Sequence, residues 1–254
     1  MSTLLRPASD WSALACPLSP PDCVSSFEAS LPSVGSGFSI TQPGAASSDA
    51  YVLASLTLNG TLHSNIKAWC VDYAQDISSG YSYPAPAVYS YTSVVADPAL
   101  ASFVAQPLRL NQLAWLLNNV DDDTTVAIGP QSYGGSQYSG CGALSWSDQQ
   151  AAFWALVSAK GACDNMTSLC TNTLNATAIN QCNVAWLWNT AFAAVPDGSN
   201  YSVPAAACGA RQPIVPVAVV PTGESYQVAQ GAWSNANFAE FCLSLRCSQT
   251  AQSF

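Results

Sequence analysis

Ten cysteines are spread along this chain of 254 residues, and they constrain its fold more than any other feature. Several are closely spaced in the sequence: Cys16/Cys23, Cys163/Cys170/Cys182 and Cys242/Cys247. No C-x-x-C pair occurs and the chain has a single histidine, so the spacings match no zinc pattern and we expect no metal site. An even number of cysteines instead predicts a disulfide framework formed in an oxidising compartment, with its connectivity left open.

The charge of the chain excludes two classes of partner. Only six Lys and Arg are present, the formal net charge is −9, and charged residues make up 8% of the sequence. A nucleic acid or an anionic membrane surface is attracted by basic stripes or basic amphipathic helices, and none is present here. No apolar stretch is long enough to cross a bilayer, so we expect no membrane insertion within this chain. A weakly charged surface rich in Ser, Thr, Asn and Gln fits an extracellular protein.

Four N-x-S/T sequons are candidates for glycosylation, at Asn59, Asn165, Asn175 and Asn200. They are compatible with a eukaryotic secretory route. The first residues lack the charged start and apolar run of a signal peptide, which indicates a mature or excised domain. Together with the cysteines, the sequons predict a secreted or cell-surface protein.

The chain divides into an N-terminal segment and a body. Residues 1–50 are rich in Ser, Pro and Ala, and we expect irregular chain tied down by disulfides. The body, residues 51–254, opens with a β-rich run, Tyr51–Leu58, and a strand-like run, Thr61–Tyr73, joined by Asn59-Gly60. Asn-Gly between two such runs is the strongest short hairpin signal, so a β-hairpin is predicted with Cys70 on its second strand.

Helical patterns occupy the middle of the body. Residues 107–119 place Leu110, Leu113, Ala114 and Leu117 at the spacing of one buried helix face. Ser147 begins a second pattern that reaches about Lys160, and a third covers residues 184–194. Residues 213–221 and Ser225–Ala229 are predicted to form strands bounded by prolines, and at least one of the two is expected at a sheet edge. We therefore predict an α+β fold with an antiparallel β core, sandwich or barrel-like, and an inserted helical subdomain at about residues 97–195.

Two short motifs carry the chemistry. Trp69-Cys70-Val71-Asp72 ends the strand-like run, and Gln150-Ala-Ala-Phe153-Trp154 stands near the start of the second helix. A cysteine thiol can condense with a glutamine carboxamide and release ammonia, which leaves an internal thioester. A thioester is a stored electrophile that an amine can open to form a stable amide. The order and type of these residues therefore predict a covalent coupling site made by Cys70 and Gln150.

These motifs, with the Ala-Trp-Leu-Leu-Asn helix between them, resemble the thioester domains of cell-surface adhesins. The resemblance covers roughly residues 51–230 and implies that Cys70 and Gln150 form the thioester. It also implies single-turnover covalent adhesion to an amine-bearing surface molecule, rather than turnover catalysis, with no cofactor. The departures are Trp69 where Tyr, Phe or Leu is preferred, Asp72 and Gln149 at usually apolar positions, and the ten cysteines.

A thioester needs a dry environment, and three aromatic side chains adjoin the two partners: Trp69, Phe153 and Trp154. If Gln150 lies in the first helical turn, the helix dipole would favour the developing oxyanion. A structural alternative is open for each partner, with Cys70 in a disulfide and Gln150 in a capping box with Ser147. Using Cys70 in a thioester leaves nine cysteines and at least one unpaired thiol. Gln112 and Gln149 are rival acyl partners.

The alternative function is a disulfide-rich extracellular module that binds glycan or protein without a covalent bond. Eight Trp and ten Tyr in a weakly charged chain fit that function, because exposed aromatic rings stack on sugar faces. A serine hydrolase would need His63, yet no G-x-S-x-G motif accompanies it. His63 precedes Cys70 by an odd number of residues on one predicted strand, so alternation predicts opposite faces for the two.

Overall fold

The computed structural model describes residues 33–34, 37–41, 52–58, 60–70, 82–83, 87–96, 106–120, 124–157, 179–203, 214–220 and 241–246. For Cys70 and for the strands at 214–220 and 241–246, the description is limited to the backbone and its pairing.

Eight strands form one antiparallel sheet in the described ranges, in the order β1-β6-β9-β10-β4-β3-β2-β5. Two further strands, β7 and β8, form a separate hairpin. The strands are β1 (Ser33–Val34), β2 (Gly37–Thr41), β3 (Val52–Leu58), β4 (Thr61–Cys70), β5 (Ser82–Tyr83), β6 (Ala87–Ser90), β7 (Gln131–Tyr133), β8 (Ser136–Tyr138), β9 (Ile214–Val220) and β10 (Phe241–Arg246).

The hairpin predicted at Asn59-Gly60 is confirmed. β3 and β4 pair antiparallel, with Leu58 opposite Thr61 at the turn. Gly60 has a φ of 78°, a conformation that only glycine adopts without steric cost, which explains the turn signal. The ladder carries one irregularity, a register shift at Ala54/Leu56. β4 ends at Cys70, so this cysteine is on a strand as expected.

Two short strands lie within residues 1–50, the segment that was predicted to be irregular chain tied down by disulfides. β1 and β2 lie within it, and β2 pairs along its length with β3. Pairing with β3 gives the backbone N–H and C=O groups of β2 hydrogen-bond partners, and no local sequence signal predicts this pairing. The sheet therefore crosses the boundary expected near residue 50. Cys16 and Cys23 lie outside the described residues.

Four α-helices are described, and all lie in the chain between β6 and β9, two strands that pair with each other in the sheet. They are α1 (Tyr91–Ala96), α2 (Leu110–Asn119), α3 (Trp146–Val157) and α4 (Gln181–Ala194). The predicted stripe on α2 is confirmed, because all four of its residues are buried. A 3-10 turn, Pro107–Arg109, leads into α2, as the proline at its start favours.

The core is one continuous cluster that joins the sheet to the helices. Its sheet members include Ala68 and Trp69, which are consecutive and both buried. Because successive residues of a strand point to opposite faces, burial of both means that both faces of the sheet are covered near the end of β4. α3 packs against β4 at this place. The end of β4 therefore lies inside the protein.

The first of the two strands expected in this part of the chain forms at Ile214–Val220 and is not at a sheet edge. β9 lies between β6 and β10 and pairs with both. It includes Pro216, which stands opposite Ser244 of β10. Proline has no N–H to donate, so the ladder loses one bond at this position and is otherwise continued by the neighbouring residues. Ser225–Ala229, a second expected strand, lies outside the described residues.

One disulfide is formed by the cysteines whose side chains are described. It joins Cys141, in the loop before α3, to Cys182, in the first turn of α4, with 4.9 Å between their Cα atoms. The spacing of the sequence grouped Cys182 with Cys163 and Cys170, and the structure pairs it with a cysteine 41 residues earlier instead. The disulfide thus ties the entry of α3 to the start of α4.

Removal of this disulfide should destabilise the protein substantially. A double variant with Cys141→Ser and Cys182→Ser opens the loop that the disulfide closes between two cysteines 41 residues apart in sequence. The chain-entropy account of cross-links gives a loss of about 4 kcal/mol for a loop of that length. We expect a lower midpoint in urea denaturation, measured without reductant beside the parent protein. An unchanged midpoint would contradict this role of the disulfide.

Candidate functional site at the junction of β4 and α3

Cys70 is the last residue of β4, whose pairing with β3 ends at Ala68 and whose pairing with β10 continues to Cys70. Cys70 stands opposite Phe241 of β10. The cysteine of β10, Cys242, stands opposite Trp69 instead. The register therefore does not make Cys70 and Cys242 cross-strand partners, which would have been the simplest disulfide for Cys70. The side chain of Cys70 lies outside the described part of the chain.

Trp69 connects the cysteine motif to the glutamine motif. Its ring is tilted against that of Phe153 on α3, with 5.3 Å between the ring centroids and 59° between the planes. Each of these side chains is only 2% exposed. Tilted aromatic pairs at this separation are attractive beyond the area they bury. The residue before Cys70 and the residue three positions after Gln150 are thus in direct contact.

Gln150 lies one helical turn before Phe153 and is 1% exposed. Residues three and four apart on a helix are neighbours on one face, so Gln150, Phe153 and Trp154 share a face of α3. Trp154 is also buried. The three residues of the glutamine motif are therefore buried on one face of α3. Phe153 contacts Trp69 of β4, the strand that carries Cys70.

The capping box predicted for Ser147 and Gln150 is wrong. α3 begins at Trp146, and the reciprocal bonds of the box are made two residues earlier by Ser145 and Asp148. The N–H of Asp148 donates to Ser145 Oγ at 3.1 Å, and the N–H of Ser145 donates to Asp148 Oδ2 at 3.0 Å. Helix capping therefore does not account for Gln150.

The new helix start also changes the position of Gln150 relative to the helix dipole. Gln150 is the fifth residue of α3 rather than a first-turn residue. The N–H of Gln149 already donates to the carbonyl of Ser145, at 3.2 Å, so regular helical bonding is established before Gln150. The stabilisation expected from free N–H groups fades within the first turn. It does not apply to Gln150 at this position.

Asp148 is a buried residue that the sequence reading missed. Its exposed fraction is 1%. Besides capping α3, it accepts hydrogen bonds from the N-cap residue and the first turn of α4. Asp148 Oδ1 accepts from the N–H of Asn180 at 2.6 Å, and Oδ2 accepts from Asn183 Nδ2 at 2.9 Å. The signal was available as Ser145-x-x-Asp148, which also fits the capping-box pattern. The partners on α4 could not be read from it.

The loop before α3 is held by the first turn of α4. Asn180 is the N-cap of α4, and its side chain accepts from the N–H groups of Cys182 and Asn183. Its Nδ2 donates to the carbonyl of Gly140 at 2.9 Å. Asn183 accepts from the N–H of Gly142 at 3.0 Å and donates to the carbonyl of Ala143 at 2.9 Å. The loop and the two helix starts thus form one hydrogen-bonded unit.

The two rival glutamines have different surroundings. Gln149 is buried on α3 beside Gln150. Gln112 is buried on α2, where its Nε2 donates to the carbonyl of Val195 at 3.0 Å and its Oε1 has no hydrogen-bond partner. That bond holds the carboxamide of Gln112 against the end of α4. Gln149 and Gln150 both precede Phe153, the residue that contacts Trp69, by about one helical turn, whereas Gln112 lies on another helix.

The prediction that His63 and Cys70 lie on opposite faces of the strand assumed a regular β4, and β4 is irregular between them. Ala54 pairs with Ile66, whereas Leu56 pairs with His63, so β4 has one residue more than β3 in this interval. A bulge of this kind interrupts the alternation of the strand. Counting residues from His63 to Cys70 therefore does not establish that they belong to opposite faces.

A second group of aromatic residues lies on α4. Trp188 and Phe192 are stacked, with ring centroids 4.0 Å apart, and the edge of Tyr133 on β7 meets Trp188 at 5.3 Å. Arg109 lies over the ring of Phe192, 5.2 Å from its centroid, and also pairs with Asp197. Trp188 and Phe192 are partly exposed, so this group places aromatic rings at the surface of α4.

The remaining predicted positions have simple outcomes. Asn200 is exposed, and Asn59, Asn165 and Asn175 lie outside the described residues. Within the described ranges, no cluster of three or more His, Cys, Asp or Glu side chains is arranged to hold a metal ion. In the same ranges, every helix is too short or too polar to cross a membrane.

Comparison of the chain with protein-family models, with curated proteins and with solved structures finds no match.

Proposed function

We propose that this chain is an extracellular adhesion domain of the α+β class that joins Cys70 to Gln150 in an internal thioester. The thioester then couples covalently to an amine of a surface or host partner, such as a protein lysine or a polyamine. The observation that carries the proposal is the contact between Trp69 and Phe153. It brings the cysteine motif and the glutamine motif, distant in sequence, to one place in the fold.

The proposed reaction is balanced without any cofactor. The Cys70 thiol adds to the side-chain carbonyl carbon of Gln150, the C–N bond breaks, and the amide nitrogen leaves as ammonia with the thiol proton. In the second step a target amine attacks the thioester carbon, the C–S bond breaks, and the thiol is regenerated. Each molecule couples once, so the chain acts as a covalent adhesin rather than as a turnover enzyme.

The burial around Gln150 supports this chemistry. Water would hydrolyse a thioester, so the acyl carbon must be shielded until an amine arrives. Gln150, Phe153 and Trp154 are all buried on α3, and the buried Trp69 packs against Phe153. With only two lysines in the chain, Lys67 and Lys160, few amines of its own compete for the electrophile.

An extracellular location is part of the same proposal. The disulfide between Cys141 and Cys182 supports an oxidising compartment, because such bonds are rare in the reducing cytosol. The exposed Asn200 is available for glycosylation on a secretory route. The low content of basic residues gives no support to a nucleic-acid partner.

Intact-mass measurement tests the proposed thioester directly. We expect the wild-type protein to be lighter than its sequence mass, corrected for disulfides and glycans, by one ammonia, about 17 Da. Incubation with methylamine should then add one methylamine per molecule at Gln150. A Cys70→Ala variant is the matched control, because it can neither lose ammonia nor take up the amine. A wild-type mass without the deficit would refute the thioester.

A second candidate function is non-covalent recognition of glycan or protein. It is favoured by the partly exposed Trp188 and Phe192 on α4, with Asn189 beside them. Sugar recognition uses a free aromatic face, and the ring of Phe192 already contacts Trp188 and Arg109. The aromatic group therefore supports this function less well than the β4–α3 junction supports the thioester. The mass measurement decides between the two.

A further inference from the structure

The carboxylate of Asp148 joins the starts of two helices. Oδ2 accepts from the N–H of Ser145 at 3.0 Å and from Asn183 Nδ2 at 2.9 Å, while Oδ1 accepts from the N–H of Asn180 at 2.6 Å. Hydrogen bonds to a buried carboxylate are among the stronger ones in proteins. The N-terminus of α3 is therefore fixed to the N-terminus of α4, and the Cys141–Cys182 disulfide spans the same connection.

Fixing Asp148 also fixes Gln150. The two residues are two positions apart in one helix, which rises about 1.5 Å per residue and is stiff over this length. The axial position and the rotation of Gln150 relative to β4 are thus set at one side by Asp148. At the other side they are set by the contact of Phe153 with Trp69. Gln150 lies between the two attachments.

Thioester formation depends strongly on such positioning. The attacking sulfur and the carbonyl carbon must approach to about 3–3.5 Å, and a displacement of about 1 Å can cost on the order of 100-fold in rate. Resting on the proposed function, we propose that Asp148 is a positioning residue for it: the clamp from Asp148 to Asn180 and Asn183 holds Gln150 in reach of Cys70.

The main test is Asp148→Asn in the full chain. The amide has nearly the same shape, but it replaces one acceptor oxygen by an NH₂ group that faces N–H donors. We expect the variant to keep the native near-UV circular dichroism spectrum. Its loss of ammonia, measured by intact mass over time, should be about 10- to 100-fold slower than in wild type. Asp148→Glu, which keeps both acceptor oxygens, should recover part of the rate. Asn183→Ala, which removes one arm of the clamp, is a milder second variant if Asp148→Asn does not fold.

A matched control separates positioning from a general loss of stability. Tyr91→Phe removes a partly buried hydrogen bond to the carbonyl of Tyr201, which involves none of the clamp residues. It should lower the melting temperature while leaving the rate of ammonia loss unchanged. A wild-type rate in folded Asp148→Asn, or an equal slowing in Tyr91→Phe, overturns the positioning role and leaves the thioester intact. Absence of the ammonia deficit in wild type overturns the proposed function and the positioning role together.

Discussion

Replacing Gln150 by alanine should abolish both the ammonia deficit and the uptake of methylamine, while the protein stays folded. The acyl group of the proposed thioester comes from this side chain, so no other step can compensate for its loss. Gln150→Glu should give the same outcome, because a carboxylate at this position has no ammonia to release. Intact mass before and after methylamine treatment measures both effects, and circular dichroism reports the fold.

The neighbouring glutamines provide matched controls for this experiment. Gln149→Ala removes a buried carboxamide from the same turn of α3, and it should keep the deficit. Gln112→Ala removes the carboxamide that bonds to Val195 on the far end of α4, and it should also keep the deficit. Loss of the deficit in Gln149→Ala or Gln112→Ala, with Gln150→Ala unaffected, would transfer the acyl role to the other glutamine.

Replacing Phe153 by alanine should destabilise the protein strongly. Phe153 is almost completely buried and its ring packs against Trp69. Truncation of a buried phenylalanine costs about 3–5 kcal/mol, because the lost transfer free energy adds to the cost of the cavity. The midpoint of urea denaturation measures this loss. Where thioester is present, its hydrolysis should also be faster, since water gains access from the α3 side.

Two further variants show whether the loss of stability comes from the contact between Phe153 and Trp69. Phe153→Leu keeps most of the buried volume but loses the aromatic pair with Trp69, so we expect a loss of stability well below that of alanine. Phe192→Ala removes a partly exposed ring of the same type from α4 and should cost less than Phe153→Ala. Equal losses at Phe153 and Phe192 would contradict the central place of the Trp69–Phe153 contact in the core.

Elements with local signals could be predicted from the sequence. The β3–β4 hairpin follows from Asn59-Gly60, because the turn that needs positive φ is specified by the residues of the turn itself. The buried face of α2 follows from apolar residues at helical spacing. β5 and β6 could not be predicted locally, because they are short and are defined by their pairing with β2 and β9. Only the partner strands, far away in sequence, give these residues strand geometry.

The start of α3 shows where a local signal is ambiguous. The capping-box pattern fits both Ser145-x-x-Asp148 and Ser147-x-x-Gln150, which overlap in the sequence. The structure uses the first, where the carboxylate of Asp148 also accepts from Asn180 and Asn183. The choice is therefore made by residues of α4, more than thirty positions later. A pattern of four residues has no access to that information.

The sequence by itself determined the types of residue available for chemistry: a thiol at the end of a strand, a carboxamide near the start of a helix, and aromatic residues beside each. It also determined the hairpin and the helix face of α2, because those depend on residues close together in the chain. Only the tertiary structure decided that Trp69 packs on Phe153, that Cys141 pairs with Cys182, and that Asp148 binds the start of α4. Contacts of this kind depend on the packing of whole elements, in which distant residues compete for the same partners, and no local pattern encodes the outcome.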